Sequence, residues 1–195
     1  MEHCTNDAVS SVRTLLHATA QTVYYASVGG KPCLVEEIGT MGPMVCSDQI
    51  AAGFLKANLF SNWANGAPGL LWWCSSDQNL LSHAPYDWAM CERELGLMDA
   101  RRIPKPALKE LGNMKRFLEK LRNELGGELP RAQVDAVCIL TRGQDPWGIA
   151  YTSYILAKQA GINLEFAYID RPFPEAQMYL LPCVTGNMVM SKSSY

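Results

Sequence analysis

The chain has 195 residues, 48% of them hydrophobic and 18% charged, with a net charge of −2. Such a length holds one large or two small domains, and the composition is that of a globular protein with a substantial core. Near-neutral charge argues against a nucleic-acid or acidic-membrane partner, no apolar run reaches the roughly eighteen residues of a membrane span, and seven cysteines without a CxxC pair argue against a zinc ribbon.

In chain order, Val9, Val12, Leu15, Leu16, Thr19, Val23 and Ala26 recur at helical steps and predict a helix over 8–28, stopped by Gly29-Gly30. The apolar run 33–38, bounded by Pro32 and Gly39, has the pattern of a buried parallel strand. Ser47 or Asp48 caps a predicted helix over 48–65, and Leu70-Leu71-Trp72-Trp73-Cys74 is a second buried strand. Helix and strand alternating over short connections predict a parallel sheet. A long loop over 75–103 leads to an amphipathic helix over 106–125, with an apolar stripe through Leu108, Leu111, Met114, Phe117, Leu118, Leu121 and Leu125. Gly126-Gly127-Glu128-Leu129-Pro130 is the expected domain boundary. Beyond it the alternation restarts: strand 134–140, helix 147–160 capped by Gly161, strand 164–169, and a third strand over 178–181.

Two carboxylates stand out at the end of the first strand. Glu36 and Glu37 lie where barrel enzymes keep catalytic groups, yet spacing alone is equally compatible with a structural role. Strand alternation should send the two side chains to opposite sides. One then faces the mouth, and the other meets helices or a buried base. The Trp72–Trp73 pair ends the next strand. A tryptophan there stacks on a sugar ring or packs in the core, and adjacent residues should do one of each. Asp77 and Gln78 either hydrogen-bond sugar hydroxyls or cap the loop. His83 is a candidate for the edge of a substrate cleft, whereas His17 reads as a packed or surface histidine. The segment after the 134–140 strand, Thr141-Arg142-Gly143-Gln144-Asp145-Pro146, has neither a dinucleotide nor a P-loop glycine pattern, and no cofactor is expected.

Lys31-Pro32-Cys33-Leu34-Val35-Glu36-Glu37-Ile38-Gly39 resembles the seventh-strand motif of family-five-type cellulases and mannanases, clan-A (β/α)8-barrel glycoside hydrolases. The position matching the nucleophile is Glu37; Ile38 stands where an aromatic is commoner. Gly69-Leu70-Leu71-Trp72-Trp73-Cys74 is similar to the eighth strand, with Trp73 matching the tryptophan that floors the sugar subsite. Glu94-Leu95-Gly96-Leu97 and Pro104-Lys105-Pro106 resemble the lead into the last barrel helix. Residues 131–195 are similar, on Tyr179-Leu180-Leu181-Pro182, to the flavodoxin-like or glutamine-amidotransferase-like domain that follows the barrel in family-42-type β-galactosidases and serves assembly there.

The resemblance implies an α/β chain: strands seven and eight of a TIM barrel with their helices over 1–126, then part of a flavodoxin-like βαβ domain over 131–195. It implies a retaining reaction on β-linked sugars, with Glu37 attacking the anomeric carbon and Glu36 supporting it. A retaining site pairs two carboxyl groups about 5–5.5 Å apart. The family's acid/base glutamate stands on the fourth strand, which the sequence lacks; His3 would fall just after the sixth. The isolated chain is therefore expected to be inactive, a fragment of an enzyme, the alternative being a non-catalytic carbohydrate-binding or assembly module. The expected partner is an oligo- or polysaccharide, with no nucleic acid and no membrane, and uncovered strand edges favour self-association into a homo-oligomer. No signal peptide is legible, and cysteines set in apolar runs point mildly to a reducing, cytoplasmic setting.

Overall fold

The computed structural model describes residues 8–40, 46–89, 93–127 and 133–182; His3 and Cys183 lie outside the described residues. The chain divides into two compact units, Met1–Gln133 and Val134–Tyr195.

The first unit runs α1 (Ala8–Gly29), β1 (Val35–Ile38), α2 (Asp48–Ala64), β2 (Leu70–Trp72) and α3 (Pro106–Glu124). Ser47 caps α2 by accepting from the Ile50 N–H at 3.3 Å, satisfying one of the first-turn donors that the helix itself cannot. Pro106 opens α3, where its missing N–H costs nothing. β1 and β2 are parallel and form a two-stranded sheet among the described residues, which is not closed into a barrel. One side of this sheet carries the core: Ala18 of α1, Val35, Ile38, Phe54 of α2 and Ala67, with Leu70 and Trp72 packed against them.

Beside the apolar contact of Ala18 with Phe54, part of the α1–α2 contact is a polar seam. Thr19, Thr22, Asn58 and Asn62 are buried there. Thr22 Oγ1 donates to Asn62 Oδ1 at 3.1 Å, and Thr19 Oγ1 lies 2.7 Å from Ser61 Oγ. Asn58 and Asn62 spend their amide N–H groups on carbonyls one turn back, at 3.1 and 2.8 Å. Hydrogen bonding of this kind is what makes burial of such groups tolerable.

The second unit contains β3 (Ala136–Leu140), α4 (Pro146–Gln159), β4 (Leu164–Tyr168) and β5 (Met178–Leu180). Its sheet is parallel, in the order β4-β3-β5. All five residues of β3 are buried, as its unbroken apolar sequence requires of a strand covered on both faces. Ala150, Tyr154 and Ala157 are the buried face of α4. Burial pushes the Tyr154 phenol well above the ordinary tyrosine range.

Candidate active site

The register of the β1–β2 pair fixes which groups share a face. Val35 pairs with Leu70 and Ile38 with Trp72, so three steps along β1 match two along β2. β1 therefore carries one extra residue, a bulge. The bulge returns Ile38 to the buried side that Val35 already occupies and leaves Glu36 and Glu37 both exposed. Both carboxylates stand exposed between the two buried residues of β1, next to the irregularity in its pairing with β2. Both line one cavity of about 370 Å³, with His17, Gln21 and Tyr25 of α1 across from them.

Alternation does hold about the Ile38–Trp72 pair. These two side chains enter the helix-packed core, whereas their neighbours Glu37, Leu71 and Trp73 stay outside it. All three are exposed, Trp73 by 40%. The Trp73 N–H donates to the Ile38 carbonyl at 2.8 Å, tying the two strand ends together. Trp72 is the packing tryptophan of the pair. Its ring meets Phe54 edge-on at 6.5 Å, and its indole N–H donates to the Leu95 carbonyl at 3.2 Å.

Gly39 has a steric explanation. A Cβ there would run into the Trp73 carbonyl oxygen, which belongs to the backbone and cannot rotate away. Gly39→Ala should therefore part the strand ends and cost about 1–3 kcal/mol, the usual penalty of overpacking. Thermal melting of the variant checks this, and an unchanged midpoint would contradict the close approach.

The loop after β2 is held by a buried charge cluster. Lys105 Nζ lies 3.1 and 3.2 Å from the two Asp77 carboxylate oxygens, 3.0 Å from Asp48 Oδ1, and donates to the Glu94 carbonyl at 3.1 Å. The Lys105 and Asp77 side chains are only 11% and 6% exposed. Burial pushes the Asp77 carboxyl up, against the lowering effect of the Gly96 N–H and of Lys105. The same burial pulls the Lys105 ammonium down, but hydrogen bonds to Asp48 and Asp77 outweigh it and leave the pKa raised. Gly96 donates its N–H to Asp77 Oδ1 at 2.7 Å and is packed so closely that a Cβ would strike the Ser76 and Asp77 backbone. The residues of the two loop motifs thus explain one another: Leu95 is buried, Gly96 permits the approach, Lys105 supplies the cation and Pro106 starts the helix.

Of the other sequence candidates, Asp77 has its oxygens engaged in this cluster, the loop-holding alternative. Gln78 is half-buried beside Cys74, its Nε2 3.7 Å from the sulfur. His83 is exposed, edge-on to Tyr86 at 5.6 Å, with Nδ1 3.1 Å from the Ala84 carbonyl. The register brings Glu37 and Trp73 to the ends of adjacent strands, both exposed. The sequence offers Lys105 only as part of the Pro104-Lys105-Pro106 motif, with no role assigned to its charge. Among the described residues no three His, Cys, Asp or Glu side chains converge as metal ligands, and no helix is long and apolar enough to cross a membrane.

No family model and no curated protein matches the sequence. Among solved structures, a variant of GH5_18 from Streptomyces cattleya in complex with Manb1-4GlcNAc superposes with a TM-score of 0.63 at 20% identity, over 82% of this chain and 40% of that one. GH5_18 from Bifidobacterium longum subsp. longum gives 0.61 at 16% identity, over 84% and 40%. The exo-beta-1,4-mannosidase Op5Man5 from an Opitutaceae bacterium gives 0.61 at 22% identity, over 84% and 30%. The chain thus spans 40% or less of the length of these neighbours, and likeness at such identity speaks for the fold alone: helices and short parallel strands, as in part of a TIM barrel.

Proposed function

We propose that this chain carries the nucleophile side of a retaining β-glycosidase site, with Glu37 as the attacking carboxylate. The observation that supports this reading is that Glu37 and Trp73, both exposed, stand at the C-terminal ends of adjacent parallel strands, where barrel enzymes place their chemistry. Trp73 offers a flat apolar surface for a sugar ring, and Glu36 adds a second negative charge beside the attacker. The loop held by Lys105 presents Gln78 and His83 as further contacts to the sugar; Asp77 acts by holding that loop. The complexed and named neighbours make a β-mannoside the first sugar to test. The second unit is read as a partial flavodoxin-like assembly domain on its parallel three-stranded sheet.

An acid/base carboxyl is needed to expel an ordinary leaving group, and later to activate water. The isolated chain is accordingly expected to show no turnover of 4-nitrophenyl β-mannoside. Steady release of nitrophenol that Glu37→Gln abolishes would refute that expectation.

A leaving group as good as 2,4-dinitrophenolate needs no acid. Incubation with 2,4-dinitrophenyl 2-deoxy-2-fluoro-β-mannoside should add one fluoromannosyl mass, located on Glu37 by peptide mapping. The C–O bond to dinitrophenolate breaks as the Glu37 carboxylate bonds to the anomeric carbon, and the aryl oxide departs with the electron pair. Labelling of any other residue, or none, overturns the assignment.

A further inference from the structure

We propose that Trp88 is the platform for a second sugar ring, which makes an oligosaccharide rather than a simple glycoside the ligand of this chain. The inference rests on the sugar-binding part of the reading above and not on the nucleophile assigned to Glu37.

The chain has five tryptophans, and the fold or the candidate site gives four of them a place. Trp63 meets Phe60 edge-on at 6.5 Å, Trp72 packs on Phe54, and Trp147 stacks on Tyr151 at 5.4 Å. Trp73 is tied by its N–H to the end of β1. Trp88 is different: it is 70% exposed, so most of its indole meets water. Leu80 and Leu81 of the same loop are exposed as well. A lone exposed leucine is ordinary, but several large apolar groups exposed within residues 80–88 mark a binding surface.

The loop holds that surface in place. It leaves the C-terminal end of β2 directly after Trp73, the end of the sheet at which Glu37 also stands. At its base the Leu97 and Met98 N–H groups donate to the Cys74 and Ser75 carbonyls, at 3.0 and 3.1 Å. The Asp77 N–H donates to the Met98 carbonyl at 2.8 Å. Farther out, the Gln78 N–H donates to the Arg93 carbonyl at 2.7 Å, and Arg93 Nη2 donates to the Asn79 carbonyl at 2.8 Å. At the tip, the Asp87 N–H donates to the His83 carbonyl at 3.2 Å. The Trp88 and Ala89 N–H groups both donate to the Pro85 carbonyl, at 3.2 and 2.7 Å. These bonds fix the backbone and leave the indole to the solvent. A binding group on a loop fixed in this way loses little freedom when its ligand arrives.

The surroundings suit a sugar. A pyranose has apolar C–H faces and a rim of hydroxyls, so it takes an aromatic plane with donors and acceptors close by. Ser82, His83 and Asp87 are exposed on the same turn and supply such groups. A protein or lipid partner needs a continuous apolar patch, and these three polar side chains interrupt it. With one ring on Trp73, the next ring of a β-linked chain is the occupant that matches Trp88.

The test uses the full chain made with 5-fluorotryptophan and followed by fluorine NMR. The Trp73 and Trp88 signals are assigned by their loss in Trp73→Phe and Trp88→Phe. β-1,4-Mannobiose should shift both signals, whereas methyl β-mannoside should shift that of Trp73 alone. Trp88→Ala should weaken mannobiose binding by about fivefold or more and methyl β-mannoside binding by less than about twofold. Its melting midpoint should not change, because the side chain is exposed. Trp88→Tyr keeps an aromatic plane and should bind mannobiose within about twofold of the native chain. A Trp88 signal that mannobiose does not move, at any concentration up to its solubility, overturns the proposal. An equal loss for both sugars in Trp88→Ala does the same. Self-association of the native chain that Trp88→Ala abolishes also overturns it, by giving the surface to a second copy. A moved Trp88 signal in a chain whose Glu37 takes no fluoromannosyl label sustains this inference and counts against the hydrolase reading alone. A labelled Glu37 beside an unmoved Trp88 signal does the reverse.

Discussion

Replacing Lys105 with methionine is expected to lower the stability of the first unit by about 3–5 kcal/mol, the cost of stripping one partner from a buried ion pair. The effect is large because Asp77, 6% exposed, would keep its charge without a cation to meet it. By contrast, Lys115–Glu119 and Lys120–Glu124 are exposed pairs on α3, and their loss should be barely measurable. Urea unfolding followed by far-UV circular dichroism measures the difference. Adding Asp77→Asn, which keeps an acceptor for the Gly96 N–H but removes the orphaned charge, should recover at least half of the loss. A loss below about 1 kcal/mol for Lys105→Met would show that the cluster is solvated and does not hold the loop.

The cluster also sets a direction for alkaline pH. Lys105 holds its proton more tightly in the folded chain than in the unfolded one, so its contribution is complete below the ordinary lysine range. That contribution disappears as pH rises through the raised folded-state pKa. The stability gap between the native chain and Lys105→Met should therefore narrow only in strong alkali. A gap that closes already near neutrality would assign the stabilisation to another group.

The second large effect concerns Glu37. Glu37→Gln removes the negative charge and the nucleophilic oxygen while preserving size, so labelling by the fluoromannoside should fall by at least about a thousandfold. Glu37 is exposed, so the substitution leaves no cavity and melting should not change. That pairing of lost reactivity with retained stability separates a chemical role from a packing one. Trp73→Ala should raise the concentration of fluoromannoside needed for half-maximal labelling of Glu37, because a stacking platform binds the sugar without taking part in bond making. Labelling of Glu37→Gln at the native rate would move the nucleophile elsewhere, with Glu36 the first candidate.

Much of the local structure was legible because periodicity and turn chemistry are local. The α1, α2 and α3 helices fall within a residue of their expected bounds, since Gly30, Ser47 and Pro106 act through their own backbone geometry. The strands are shorter than the apolar runs that announced them: 33–38 yields Val35–Ile38, and 70–74 yields Leu70–Trp72. An apolar run records burial, whereas strand assignment needs a partner's hydrogen bonds. Of the α3 stripe, Met114 is buried and Phe117 meets Phe60 edge-on at 5.4 Å, whereas Leu125, past the end of the helix, is 48% exposed.

Sequence alone determined the order of elements, the parallel character expected of both sheets, and the placing of a glutamate and a tryptophan at neighbouring strand ends. Those follow from short-range rules: the pitch of a helix, the restraint of proline, the freedom of glycine. Tertiary structure decided that both carboxylates stand exposed between Val35 and Ile38, because the extra residue in β1 exists only relative to its pairing with β2. It also decided that Thr22, Asn58 and Asn62 are interior, and that Lys105 is a buried cation whose partner Asp77 stands 28 residues earlier. A polar or charged side chain reads as solvent-facing until the groups that satisfy it are known, and those groups come from distant parts of the chain.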